Sequence, residues 1–188
     1  MEDFDLHPSQ EIPPRPVKGR GAASNVAHRF SANTRQAVDD GWEQAEPSLP
    51  QTRLLVDSAK SLITRNDSPD IGFDQSLNPY RGCEHGCIYC YARPTHAYLG
   101  LSPGLDFETQ IFHKPEAAQL LRAELSRPGY VCSTIALGTA TDAYQPFERR
   151  QRLTRALLEV LLETRHPVSV VTKSSLIERD LDLIVPMA

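Results

Sequence analysis

An α/β fold with a parallel sheet is predicted by two observations. Short apolar runs bounded by turn residues alternate with amphipathic helical stretches over residues 107–184, and the two longer helical stretches open on Pro115 and Pro146. A third observation sets the functional question. Residues 83–90 read Cys83-Glu84-His85-Gly86-Cys87-Ile88-Tyr89-Cys90, which puts three of the four cysteines in a C-x3-C-x2-C spacing.

Residues 1–66 carry little periodic apolar pattern and read as a largely irregular N-terminal arm, disordered or extended. Pro13, Pro14 and Pro16 lead into Lys18-Gly19-Arg20-Gly21, a short basic segment. It reads as a flexible tail, or as an arm that orders on a nucleic acid or on the domain. Trp42, the single tryptophan, is a candidate anchor for that arm. Residues 67–188 read as the folded unit. Residues 71–80 form an extended lead-in to the cysteine loop, and residues 91–99 a short helical piece. Alternation over residues 107–112 predicts a strand. Pro115 opens a helix to about Ser126, with Ala117, Leu120, Leu121 and Leu125 on its apolar face. Residues 130–138 read as a buried parallel strand, in which Cys132 is a buried small hydrophobe.

Pro146 opens the next helix, running to about Arg165, with Leu153, Leu157, Val160, Leu161 and Thr164 on one face. Residues 168–172 form another strand, and residues 176–184 a further helix. Strand and helix therefore alternate in βα units. Three or four strands cannot close a barrel, so the expectation is either a half-barrel that needs a partner or, preferred, a partial barrel truncated at its C-terminus.

Composition narrows the function classes. The chain has 188 residues, with 20 Lys and Arg against 24 Asp and Glu, for a formal net charge of -4. A globally basic nucleic-acid binder is not indicated. The acidic start, Met1-Glu2-Asp3-Phe4-Asp5, is no secretory signal, and no apolar run is long enough to span a bilayer. Cytoplasm, with no membrane partner, is the expectation. Cysteines this closely spaced suit metal binding in a reducing compartment rather than a disulfide framework.

A structural zinc site takes four ligands, usually as two separated pairs, and the second pair is missing here. His85 inside the loop completes a Cys3His zinc set only with strained chelate geometry. Ferredoxin-type clusters use four thiolates at another spacing. Three thiolates suit a [4Fe–4S] cluster with one iron open to a small chelating ligand.

At these residues the chain resembles the radical S-adenosylmethionine (SAM) superfamily, whose signature is C-x3-C-x2-C with an aromatic residue before the last cysteine, here Tyr89. The resemblance covers about residues 74–188. Arg81-Gly82-Cys83, Tyr89-Cys90-Tyr91, Thr141-Asp142-Ala143-Tyr144-Gln145-Pro146 and Val171-Thr172-Lys173-Ser174 look most like the subgroup related to spore photoproduct lyase, whose bacterial members are often labelled DNA-repair-photolyase-like. The resemblance implies a partial (βα)6-type radical SAM barrel. In it Cys83, Cys87 and Cys90 hold the cluster and SAM chelates the fourth iron. Reductive cleavage of SAM to a 5′-deoxyadenosyl radical follows, and that radical abstracts hydrogen from substrate. An electron donor such as flavodoxin or ferredoxin is implied, and a nucleic-acid or nucleotide substrate by analogy alone.

Ligands in βα folds gather at the carboxyl ends of strands. The loop after the strand at 130–138 lacks the Gly-Gly-Glu-like stretch of many radical SAM proteins. Asp142, with Thr139 or Thr141, is the substitute acceptor for the methionine ammonium of SAM, or else a turn-shaping set. Lys173 pairs with the methionine carboxylate, or is an exposed strand-end lysine. Tyr89 and Tyr91 flank Cys90 as candidates to face adenine. Arg149, Arg150, Arg152 and Arg155 form either an anion-attracting rim or a solvated face with Glu148 and Arg152 paired at i,i+4. The alternative to the enzyme is a non-catalytic metal-binding or nucleic-acid-binding module with a structural cysteine site and contacts through Lys18–Arg20. No residue is assigned to catalysis itself.

Overall fold

A computed structural model describes residues 16–33 and 50–188. Pro13, Pro14 and Trp42 lie outside the described residues. Seven short strands among the described residues make two sheets. The larger has the order β2 (Ile63–Arg65), β3 (Gln75–Leu77), β6 (Ile135–Leu137), β7 (Val168–Val170). β3, β6 and β7 run parallel, in the register Leu77↔Leu137↔Val170, and β2 is antiparallel to β3. The smaller sheet has the order β1 (Arg53–Val56), β5 (Gln110–His113), β4 (Tyr80–Arg81), with β1 parallel and β4 antiparallel to β5. The α/β class therefore holds. The described residues form two open sheets and no closed barrel. Two of the strands, β1 and β2, lie within the stretch read from sequence as an irregular arm.

The core lies between the larger sheet and two helices, α2 (Ala117–Leu125) and α4 (Leu153–Glu163), which pack on each other. Leu77, Leu121, Ile135, Leu137, Leu157, Leu158 and Leu161 are fully buried there. Burial of each such side chain stabilises the fold by about 2 kcal/mol. The apolar faces read from sequence supply this core with Ala117 and Leu121 on α2 and Leu157, Val160 and Leu161 on α4, whereas Leu153 packs in a separate cluster with Tyr80 and Ile111. Thr164, placed on that face, is exposed. Polar groups also join elements. The buried carboxylate of Glu124 on α2 accepts the backbone N–H groups of Leu62 (2.6 Å) and Ile63 (3.1 Å) and so holds β2.

Three local expectations are corrected. Residues 107–112 are not one strand: α1 (Leu105–Thr109) runs into β5. Phe107, Glu108 and Thr109 are all buried, so this stretch has no solvent face and alternation does not apply. The strand read over residues 130–138 is only β6, and Cys132, before it, is exposed rather than buried.

The long helix after Pro146 is two pieces, α3 (Glu148–Gln151) and α4, broken at Arg152, whose φ is 51°. The cause is Glu148. Its buried carboxylate caps α4 by accepting from Thr154 N at 3.1 Å, so Glu148 does not pair with Arg152. Its other partners are Tyr80 Oη (2.6 Å) and Arg179 Nη2 (2.9 Å). The helix read over residues 176–184 is a 3-10 segment, Ser175–Asp180, followed by α5 (Leu181–Ile184). No helix of the described residues is long and apolar enough to cross a membrane.

Candidate metal centre

The cysteine loop follows β4 and is built of consecutive turns. Gly86 N donates to Cys83 O (3.3 Å), Cys90 N to Cys87 O (3.2 Å) and Arg93 N to Cys90 O (3.3 Å). A 3-10 helix, Arg93–Leu99, takes over with Pro94 in its first turn and ends at Gly100 in the left-handed region. The loop is anchored at its start, where Cys83 N donates to Phe107 O at 2.9 Å.

The loop is latched to the carboxyl ends of β6 and β7. Thr141 Oγ1 donates to Gly82 O (2.7 Å), as does Gln145 Nε2 (3.3 Å), while Glu84 N donates to Gln145 Oε1 (3.1 Å). Gln145 is fully buried and so is committed to this junction. Asp142 closes the junction with β7. Its carboxylate accepts from Tyr144 N (2.8 Å), Thr172 Oγ1 (2.7 Å) and Lys173 N (3.1 Å), and His85 Nε2 stands 3.5 Å from it. Asn78, just after β3, adds the third strand end: its Nδ2 donates to Thr139 Oγ1 at 3.2 Å, and Ala140 N donates to its Oδ1 at 2.8 Å.

The three cysteines are free thiols in different surroundings. Cys83 is buried and packs with Cys90 against Ala92, Phe107 and Ala140. Burial pushes the Cys83 thiol up to about 11, against the backbone N–H groups of Asp142 and His85, which favour its thiolate. Cys87 is half-buried and accepts a hydrogen bond from Lys173 Nζ at 2.9 Å. That bond holds the Lys173 pKa above the usual lysine value. Among the described residues no three His, Cys, Asp or Glu side chains are gathered for a single metal ion. A cluster makes a different demand, because each of its thiolates binds its own iron.

The residues singled out from sequence thus fall around one loop. Asp142, Thr141 and Thr139 line the junction described above. Lys173 reaches Cys87. Tyr91 is exposed and its hydroxyl donates to Thr139 O. Tyr89 is 84% exposed and Ile88 78%, so the outward side of the loop is apolar and open. Of the arginines, Arg149, Arg150 and Arg152 are exposed, whereas Arg155 is engaged by Asp180 (2.9 Å) and Asp182 (2.7 Å).

Three contributors were missed in sequence. Gln145 and Asn78 stand in polar stretches that only the fold brings together. The third is Glu108, fully buried, whose carboxylate pairs with Arg93 and accepts from Gly21 N and Ala22 N, both at 2.9 Å. Arg20, read as part of a basic arm, is likewise engaged. It donates to Glu108 O (3.0 Å), Pro50 O (3.3 Å) and Thr52 Oγ1 (2.7 Å). Acidic residues in 105–109 and a lone arginine after the cysteines were the available signals, and neither carries its pairing in local spacing.

Fold and site together define a mixed α/β protein with a three-cysteine loop seated on the carboxyl ends of parallel strands. An uncharacterized protein of Mycobacterium tuberculosis is 47% identical to the chain over 116 residues, 62% of this chain and 34% of the relative. One of Mycobacterium bovis matches equally. An uncharacterized protein of Methanocaldococcus jannaschii is 30% identical over 130 residues, 69% of this chain and 46% of the relative. The chain thus spans between about a third and a half of the length of these relatives. No protein-family profile and no solved structure matches it significantly.

Proposed function

We propose that the chain carries the cluster-binding centre of a radical SAM enzyme, with Cys83, Cys87 and Cys90 as the cluster ligands. The observation that carries this reading is the C-x3-C-x2-C loop attached to the end of β6 through Thr141 and Gln145, a junction that Asp142 ties to the end of β7. The donor set fits a [4Fe–4S] cluster: three thiols on one loop, two of them in one apolar cluster and the third beside an ammonium. Cys132 precedes β6, at the opposite end of that strand from the junction, and so supplies no fourth thiolate for a zinc site.

Bound there, the cluster supplies the electron that cleaves SAM to a 5′-deoxyadenosyl radical. The chain's own residues orient and shield. Burial of Cys83 against Ala92 and Phe107, with the half-buried Cys90 packed on the same cluster, excludes water from one side of the loop. Lys173 supplies a cation next to Cys87, able to offset thiolate charge or to pair with a carboxylate. Tyr89 and Tyr91 offer aromatic faces on the open side, suited to a purine. In this reading the fold is part of a radical SAM barrel, the electron comes from a flavodoxin- or ferredoxin-type donor, and the substrate class is a nucleic acid or nucleotide.

Anaerobic reconstitution followed by dithionite and SAM tests the reading. The expected outcome is iron and sulfide at about four each per chain, visible charge-transfer absorbance, and release of 5′-deoxyadenosine. All three are lost in Cys87→Ala. Zinc at a stoichiometry of about one without iron sinks the proposal and favours a structural cysteine site.

A further inference from the structure

The strap at residues 20–26 crosses behind the cysteine loop and touches its backbone. A Cβ on Gly21 would lie 1.8 Å from Gly86 O and 2.9 Å from Gly86 C, so only glycine lets the strap lie against the peptide that leads into Cys87. Gly86 itself has φ +60°, and a Cβ there would meet Glu108 Oε2 at 2.6 Å. The two glycines and the Glu108 carboxylate form one closely packed stack. Glu108 is fully buried and its oxygens are shared between Gly21 N, Ala22 N and Arg93. Arg93 in turn donates from Nε to Cys87 O at 2.9 Å. The strap continues onto α1 and the turn before it. Leu105 N donates to Ser24 O (3.2 Å), Asn25 exchanges two hydrogen bonds of 2.9 Å with Asp106, and Ser102 Oγ donates to Val26 O (2.8 Å).

We propose that residues 20–26 are a built-in positioning element of the metal centre, which fixes the backbone at Gly86 and Cys87 through Gly21, Glu108 and Arg93. It rests on the reading of the three cysteines as cluster ligands and deepens it: Gly21, Glu108 and Arg93 are positioning residues that touch neither the metal nor the substrate. Two contacts converge on Cys87, one from each side. Gly21 packs on the preceding peptide, and Arg93 holds the following carbonyl. The loop therefore has its ligand-bearing shape only with the strap in place. A buried carboxylate that accepts two strap N–H groups and one guanidinium links strap and loop, because removing any partner leaves a buried polar group unpaired.

The test uses the full chain in a Cys132→Ser background, which removes the exposed thiol outside the loop. Gly21→Ala and Glu108→Gln are compared with the parent by two readouts. In the metal-free protein, the rates at which Cys87 and Cys90 react with a thiol-specific alkylating agent report loop shape without any cluster. In the reconstituted protein, iron affinity and the electron paramagnetic resonance line shape of the reduced state report the cluster environment. Circular dichroism confirms that each variant is folded. Arg93→Lys keeps the charge and loses the fork, as a milder variant should Gly21→Ala fail to fold. The expected result is altered alkylation rates in the variants, about a tenfold loss of iron affinity and a changed line shape. Folded variants with parental alkylation rates, iron affinity and line shape overturn the proposal. If the parent takes up no iron while alkylation still responds to Gly21→Ala, the cluster reading fails and the strap's control of the loop stands.

Discussion

Single residues in this protein are often committed twice. His96, in the 3-10 segment after the loop, is fully buried, donates from Nε2 to Gln110 O (3.0 Å) and packs edge-on to Phe107. Burial lowers its pKa below the usual histidine value, against the Gln110 carbonyl, which raises it. The unfolded chain protonates histidine near pH 6.5, and the folded chain refuses that proton. Stability contributed by His96 is therefore full above the unfolded value and is lost as pH falls below it. His85 and His113 are shifted the same way, again by burial. The melting temperature is expected to drop between about pH 7 and pH 5.5, and His96→Gln to shrink that drop. A slope unchanged by the substitution assigns the effect to the other two histidines. Asp142 shows the same double commitment: its carboxylate accepts from Tyr144 N within its own turn and from Thr172 Oγ1 and Lys173 N, which ties β7 to the loop after β6.

At the level of elements, the break between α3 and α4 concentrates stability in one carboxylate. Glu148 caps α4 and also accepts from Tyr80 and Arg179, so Glu148→Gln removes the fully buried charge at the centre of this network. A loss of about 3 kcal/mol is expected, read as a fall in the urea midpoint, and similar to that of Leu157→Ala in the core. A loss below about 0.5 kcal/mol contradicts a network role. The apolar faces of α2 and α4 and the strands β6 and β7 were legible in sequence because periodicity reports directly on burial. Glu148 and Glu108 were not legible, because charged residues inside a fold are explained only by distant partners. Arg179 lies 31 residues from Glu148, and Gly21 lies 87 from Glu108. The same holds for the loop. Its three cysteines announce themselves by spacing, whereas Lys173 at Cys87 depends on the parallel pairing of β6 and β7.

At the scale of the whole molecule, β7 is the outer strand of the larger sheet among the described residues. Ser169 in it is exposed, and Val171 just beyond it is 59% exposed. An open edge of this kind pairs readily with another chain. Concentration-dependent association is expected in light scattering, and Val171→Lys is expected to reduce it. A parent that stays monodisperse at high concentration rules this out. The strap has a consequence in time as well as in space. Residues 20–26 leave the ribosome early and find their partner only once α1 exists, across one of the widest sequence separations in the fold. Non-local closures of this kind come late in folding. Under the proposed cluster reading, closure of residues 20–26 onto α1 would precede iron uptake, so uptake would report that this closure has formed.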